Sequence, residues 1–226
     1  QLINFYPNLP KDKIKRIYNP FNFSEIQNKS NDSSLLNYDE KKLLEDDYIC
    51  TVARVDEGQK DITTLINAYE VLYKKNKISQ MLYIIGEGSS KNDLIRLVNE
   101  KKLETQILFL GNKLNPFVWM KNAKIFVLST KYEGLPTVLI EAMTCGTFII
   151  SSNCKTGPTE ILKNGECGDL FEVGNSVELS SKIEYALNNK DYMNLKTVQA
   201  ENRIKEFEKE KIMQEIDDLL NKEDTV

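Results

Sequence analysis

The sequence contains no histidine. That excludes histidine acid-base catalysis, Ser-His and Cys-His nucleophilic pairs, and imidazole-ligated zinc chemistry. No C-x-x-C spacing links its four cysteines, Cys50, Cys145, Cys154 and Cys167. Three of them lie in or beside apolar runs, so the expectation is buried free thiols in a reducing compartment rather than disulfides or a metal cluster. No stretch of about 18 apolar residues occurs, and the opening residues do not read as a signal peptide, so no membrane-spanning segment is expected. Positive charge is not in excess either: 30 Lys and Arg stand against 34 Asp and Glu, a net charge of -4, which argues against nucleic acid as a partner. The chain opens "QLINFYP" without an initiator methionine, as if cut from something longer.

What is present is a soluble globular composition. The 226 residues, 41% apolar and 28% charged, can build one substantial core or two small ones. Texture changes near residue 47. Before it, "IYNPFNFSEIQNKSNDSSLLNYDEKKLLEDD" is rich in Asn, Ser, Asp and Lys, shows little periodicity and reads as a connecting segment. After it, apolar runs at Tyr48 to Ala53, Met81 to Ile85, Ile107 to Leu110, Ile125 to Leu128, Thr147 to Ser151 and Asp169 to Phe171 alternate with helical patterns. Helices are expected at Ile62 to Asn76, Lys91 to Lys102, Pro116 to Lys121, Pro136 to Cys145, Thr159 to Lys163 and Val177 to Asn188. Continuous apolar strands, each followed by a helix, predict an α/β fold with a doubly wound parallel sheet, Rossmann-like, covered on both faces. The polar stretch from Met193 to Leu220 carries Ile204, Phe207, Met213, Ile216 and Leu219 at helical spacing and predicts one or two helices. The expected organisation is therefore 1-47 as linker and the end of a preceding domain, 48-190 as the sheet domain, and 191-226 as a helical extension.

Ligands of such sheets gather beyond the carboxyl ends of the strands. Arg54 follows the run "YICTVA", and Lys60 lies six residues on, with Gly58 to relax the backbone between them. Two cations on one strand-to-helix loop can close on a diphosphate, or can simply be solvated. A second stretch, "KYEGLPTVLIEAMTCG" (131-146), holds two glutamates, Glu133 and Glu141, among apolar side chains. On one continuous helix they would stand about 12 Å apart along the axis. With a helix starting at Pro136 and capped by Gly146, Glu133 lies instead on the loop at its mouth and both can face one pocket. The amides of Thr137, Val138 and Leu139 would then be unpaired donors that favour an anion. Glu141 could accept hydrogen bonds from a vicinal diol such as a ribose. Equally, it could offset a helix dipole or pair with a lysine, and the residues alone leave both open.

"YEGLPTVLIEAMTCG" resembles the E-x7-E signature of the retaining glycosyltransferases of family 4 (group 1), in its EGLP form. Its neighbours follow in that family's order: "VARVDEGQKDITTLINAYEVL", "LYIIGEGSSKNDL", "ILFLGNKLNPFVWMKNAKIFVLST" and "GPTEILKNGECGDLF". The match runs from about Ile17 to Asn188. The chain is similar to the C-terminal, donor-binding half of a GT-B enzyme, with "IYNPFN" as the end of an interdomain linker and the acceptor domain missing.

The resemblance implies that Arg54 and Lys60 bind the donor diphosphate, Glu133 touches the transferred sugar and Glu141 holds the ribose hydroxyls. It places Gly134, Leu135, Pro136, Thr137 and Val138 along the sugar and phosphates, although Pro136 has no amide to give. Lys113 and Leu114 would meet the base, largely through main chain, and Gly86 would open the adjacent turn. Glu160 matches too, with a structural role at a helix start. The implied activity is retaining transfer of a hexose from a nucleoside diphosphate, with a lean to UDP, in glycan biosynthesis. No cofactor is implied beyond the nucleotide-sugar donor. No D-x-D sequence occurs, so no metal is required.

The implied partners are that donor and a glycan or lipid-linked acceptor held by the missing domain. This stretch is expected to bind donor without turnover, in the cytoplasm, with any membrane contact peripheral, at the inner face and outside it. The alternatives are a nucleotide-sugar-binding module or a GT-B epimerase without transferase activity, and an epimerase would need acid-base groups that no histidine supplies. A dinucleotide oxidoreductase, suggested by "GEGSSKN", lacks the third glycine and follows the second strand rather than the first. Phe117 and Trp119 read as core, and the sequons at Asn28 and Asn31 as chance.

Overall fold

The structure, a computed structural model, describes residues 14-223. The parts of the expected linker and extension at 1-13 and 224-226 lie outside the described residues. Six strands form one sheet: β1 (Tyr48–Val52), β2 (Met81–Ile85), β3 (Ile107–Gly111), β4 (Ile125–Leu128), β5 (Phe148–Ser152) and β6 (Asp169–Phe171). Their order is β3-β2-β1-β4-β5-β6 and every pairing is parallel, the doubly wound sheet expected. The strands are mostly apolar because both faces are covered, with Thr51, Ser151, Ser152 and Asp169 as buried polar exceptions. Ile49, Leu82, Ile84, Ile125 and Val127 join the core beneath α3 (Ile62–Lys74). That helix contributes Ile62, Leu65, Ile66, Tyr69 and Leu72 at the spacing of one helical face. On the other face Tyr48 and Tyr83 pack with ring centroids 4.5 Å apart, and the Tyr48 hydroxyl donates to the Trp119 carbonyl at 2.7 Å. Trp119 is wholly buried, as core rather than as a stacking platform.

The remaining helices fall close to the expected spans: α4 (Lys91–Glu100), α5 (Phe117–Asn122), α6 (Thr137–Thr144), α7 (Pro158–Ile161), α8 (Ser176–Asn188), α9 (Lys190–Ile204) and α10 (Lys209–Glu223). Ends differ by up to three residues, for example at α3, which stops at Lys74 because Asn76 takes φ 53. Residues 23-47 depart further from expectation. They contain α1 (Phe23–Ser30) and α2 (Tyr38–Leu43), the latter closed by a reciprocal capping box between Asn37 and Glu40. Polar bonds fasten the segment to the sheet. Asn115 donates to the carbonyls of Lys29 and Asp32, and the Tyr83 hydroxyl donates to Asp46 at 2.6 Å.

The chain forms two compact units. Phe23–Ile204 holds the sheet. In the other, the Phe21 amide donates to the Phe207 carbonyl and the Lys209 amide returns to the Phe21 carbonyl, with the rings of Tyr18 and Phe207 4.7 Å apart edge to face.

Two glycines let the β2 loop lie on the β1 loop. A Cβ at Gly86, which has φ +135, would sit 2.0 Å from the Ala53 carbonyl oxygen, and one at Gly88 would sit 2.1 Å from that of Val55. Gly86→Ala is therefore expected to lower unfolding free energy by roughly 3 kcal/mol, read from denaturant melts. An unchanged melt would show that the loops can part without cost.

Candidate functional site

β1 and β4 are neighbours whose connections leave in opposite directions, since β1 pairs with β2 on one side and β4 with β5 on the other. The loops after them diverge, and that opens a crevice at the carboxyl ends of the strands. The β1 loop brings Arg54, Gln59 and Lys60, and the β4 loop brings Thr130, Glu133 and Gly134. Lys60 and Glu133 meet there, Nζ to Oε1, at 2.5 Å, with side chains only 14% and 9% exposed. Glu133 is further held by the Gln59 amide, 3.5 Å from Oε2. The Thr130 hydroxyl lies 3.0 Å from both Glu133 Oε1 and the Gln59 carbonyl, and its single proton serves one of them. Arg54 is more open. Its Nη2 donates to Gln59 Oε1 at 3.0 Å, and Asp56 stands 3.8 Å from Nε. Gly58 takes no positive φ. The left-handed residue of this loop is Asp61 (φ 43), whose carboxylate accepts from Thr64.

A third loop, after β5, braces the crevice. The Ser152 hydroxyl accepts from the Thr130 amide at 2.9 Å and donates to the Thr130 carbonyl at 2.6 Å. Thr156 donates to the Glu133 carbonyl at 2.5 Å, and Gly157 (φ +91) lies where a Cβ would come 2.6 Å from the Gly134 carbonyl oxygen. The Lys131 amide closes on the Gln59 carbonyl at 2.8 Å. Cys154 sits in the bracing loop, and burial raises its pKa, as it does for Cys50 and Cys145. All four cysteines are buried and none is in a disulfide, and the raised values keep Cys50, Cys145 and Cys154 as thiols.

Helix α6 starts one residue later than expected, with Pro136 as its N-cap. The Leu139 amide donates to the Pro136 carbonyl at 3.0 Å and is not a free donor as expected; Thr137 and Val138 keep theirs without an acceptor among the described residues. A Cβ at Gly134 would meet nothing within 4 Å, so protein packing does not demand glycine there. Leu135 is half-buried and Pro136 buried. Glu141 is half-buried in α6, and no hydrogen bond or ion pair reaches its carboxylate among the described residues. Burial raises its pKa. The lysine partner that would have made it ordinary is not there.

Beside Arg54, a cavity of about 320 Å³ is lined by Val52, Ala53, Ile85, Gly86, Lys113 and Pro116, among others. Gly86 stands in its wall, where a Cβ would strike the Ala53 carbonyl of the β1 loop. Lys113 is fastened by its ammonium to Glu40 at 2.6 Å, and that bond is the main cause holding the Glu40 carboxyl below its ordinary pKa. Leu114 lies 91% exposed and lines a smaller adjoining cavity of about 140 Å³ with Leu35, Leu36 and Glu40. Glu160 lies on the first turn of α7, where its carbonyl accepts from Arg203.

Sequence reading missed Gln59, Thr130, Thr156 and Glu40. The "NYDE" capping spacing was a readable signal for Glu40. Nothing in the sequence marks the others, whose roles arise between loops far apart in the chain.

Comparison with known proteins places this geometry. The sequence model described as "Glycosyl transferases group 1" matches residues 37-222. A 4-alpha-N-acetylgalactosaminyltransferase of Campylobacter jejuni, named for an undecaprenol-diphosphate acceptor, is 33% identical over 75% of this chain and 45% of its own length. An uncharacterised glycosyltransferase of Methanocaldococcus jannaschii is 32% identical over 77% of this chain and 40% of its own. Among solved structures, Anabaena HepE in complex with UDP superposes with a TM-score of 0.80 at 20% identity, over 94% of this chain and 58% of that one. Staphylococcus aureus TarM, crystallised with UDP among other ligands, superposes at 0.72 with 25% identity, over 78% and 36%. The chain thus spans less than half the length of the two curated relatives described. Its sheet is the Rossmann-like layer of the GT-B fold. Among the described residues no helix is long and apolar enough to cross a membrane.

Two outcomes are expected. Glu133→Ala strands the Lys60 charge and should cost about 3 kcal/mol of stability in denaturant melts, most of it recovered by pairing the change with Lys60→Met. Glu141 is a carboxyl whose folded pKa lies above its unfolded one. It favours the folded state at low pH, and that contribution fades as pH rises from about 4.5 through the raised value. Glu141→Gln should therefore raise the thermal midpoint at pH 7, with the gap closing below pH 4.5; a lower midpoint at pH 7 would show an unseen partner.

Proposed function

This chain belongs to the group 1 glycosyl transferases, and on that premise we propose that it is the donor-binding part of a retaining transferase. It would move a hexose from a nucleoside diphosphate, UDP in preference, to an acceptor hydroxyl during glycan assembly. In this reading Arg54 and Lys60 hold the diphosphate, together with the open amides of Thr137 and Val138. Glu133 hydrogen-bonds the transferred sugar, and Glu141 accepts from the ribose hydroxyls. Gly134, Leu135 and Pro136 shape the sugar wall. The cavity bounded by Gly86 and Lys113, with Leu114 beyond it, receives the nucleoside.

One observation carries this reading: residues of two loops separated by 73 positions close as an ion pair at the point where the strand order reverses. That is where open α/β sheets take phosphorylated ligands. The UDP in the HepE and TarM complexes supports the choice of nucleotide.

Chemically, the bond from the anomeric carbon to the diphosphate oxygen breaks while the acceptor oxygen bonds to the same face. The acceptor proton passes to the departing phosphate. Negative charge builds on that phosphate, so donors aimed at it act mainly at the transition state, where each contributes about 3 kcal/mol. The site is built from cations and amide dipoles, so the charge is met without a metal. The acceptor and its binding surface belong to residues outside this stretch, and this chain alone should bind donor without transferring sugar.

Calorimetric titration with UDP, GDP and ADP tests the reading. One nucleotide, UDP by preference, is expected to bind at micromolar strength, with the Arg54→Ala, Lys60→Ala double variant losing it and Glu141→Ala weakening it. Indifference to all three would overturn the assignment.

A further inference from the structure

The two ends of the Gln59 side chain face opposite charges. Its carbonyl oxygen accepts from Arg54 Nη2 at 3.0 Å, and its amide nitrogen lies 3.2 Å from the Tyr132 carbonyl and 3.5 Å from Glu133 Oε2. Its main chain joins the same two loops, since the Gln59 carbonyl accepts from the Lys131 amide. Arg54 itself is 64% exposed at the side chain, and among the described residues its other anchor is Asp56, 3.8 Å from Nε. Without Gln59 its guanidinium would be free to sample solvent.

We propose that Gln59 is a positioning residue: a neutral amide that aims Arg54 at the donor phosphates and links that aim to Glu133. This rests on the nucleotide-sugar reading above. The chemistry of the amide explains why glutamine suits the position. A carboxylate would meet Arg54 but repel Glu133, and it would neutralise the cation that must be offered to phosphate. An ammonium would satisfy Glu133 and repel Arg54. A hydrocarbon of equal length would serve neither. Only a group that accepts at one end and donates at the other can join a cation to an anion without cancelling either.

The consequence is a charge-dependent order that packing alone does not produce. A residue that merely filled space would tolerate Gln59→Glu, which keeps the shape, better than Gln59→Met. For the proposed role Gln59→Glu is the worse of the two, because it holds Arg54 in a charge-assisted bond away from the ligand. Because Gln59 acts through Arg54, its loss should matter little once Arg54 is gone.

The test is calorimetric titration with UDP of the unsubstituted chain and of Gln59→Met, Gln59→Glu, Arg54→Ala and the Arg54→Ala, Gln59→Met double variant, with thermal midpoints recorded in parallel. Expected are about tenfold weaker UDP binding for Gln59→Met, a larger loss for Gln59→Glu, midpoints close to the unsubstituted chain, and a double variant no weaker than Arg54→Ala. Additive losses in the double variant, or Gln59→Glu binding as well as the unsubstituted chain, would overturn the role of Gln59 while leaving the nucleotide site standing. Failure of the unsubstituted chain to bind UDP would overturn the site itself, and this inference with it.

Discussion

Lys60 and Glu133 meet at 2.5 Å although 73 residues separate them, and each faces the other where water would otherwise stand. With only 14% and 9% of their side chains exposed, each has lost most of its hydration, and the loss is offset by their attraction and by the bonds that Thr130 and Gln59 supply. The pair exists only because β1 and β4 are neighbours, so it depends on the strand order and on every contact that fixes that order. It also locates the crevice. The Ser152 hydroxyl, bonded both ways to Thr130, and Thr156, bonded to the Glu133 carbonyl, hold the second loop against a third. Segments from three strands thus converge on Glu133, two at its carboxylate and the third at its main-chain carbonyl.

Glu141 is the contrast. Where Glu133 has every bond the protein can give it, Glu141 has none among the described residues, and burial raises its pKa. A group of this kind weakens the empty fold at neutral pH, and its retention makes sense when something outside the chain completes it. On the proposed reading that something is a diol, whose two hydroxyls donate to the carboxylate and restore what burial removed. On that reading the two acids of one eight-residue spacing divide their work: one is held by the protein, the other by the ligand.

Much of this was legible in the sequence. Continuous apolar runs alternating with helical patterns gave the parallel sheet, because a strand buried on both faces can carry no polar alternation. Pro136 and Gly146 bracketed α6 to within a residue, and of the paired glutamates the structure sets Glu133 against Lys60 and leaves Glu141 half-buried on the helix. What stayed hidden were features made by contact rather than by pattern. Residues 23-47 looked like a linker because they carry no apolar stripe, yet they dock through Asn115, Tyr83 and the Lys113–Glu40 pair. Lys113 was expected to meet a base largely through its main chain, and the structure adds that its ammonium is tied to Glu40. Leu139 looked like a free helix-start donor, but a tight first turn satisfies it locally.

The ion pair also limits how the site can respond to a diphosphate. Lys60 has its charge compensated before any ligand arrives, whereas Arg54 has only a neutral amide at 3.0 Å and a carboxylate at 3.8 Å. On the proposed reading an incoming anion would therefore meet Arg54 and the Thr137 and Val138 amides first, and would draw on Lys60 only to the extent that it competes with Glu133. A bare diphosphate must leave Glu133 with one cation fewer, which costs binding. A sugar attached to that diphosphate brings hydroxyls that can donate to Glu133 as Lys60 turns toward phosphate, so the number of bonds to the carboxylate is conserved. On the proposed reading the arrangement would favour the complete donor over its nucleotide product, the preference a transferase needs if it is to release what it has used.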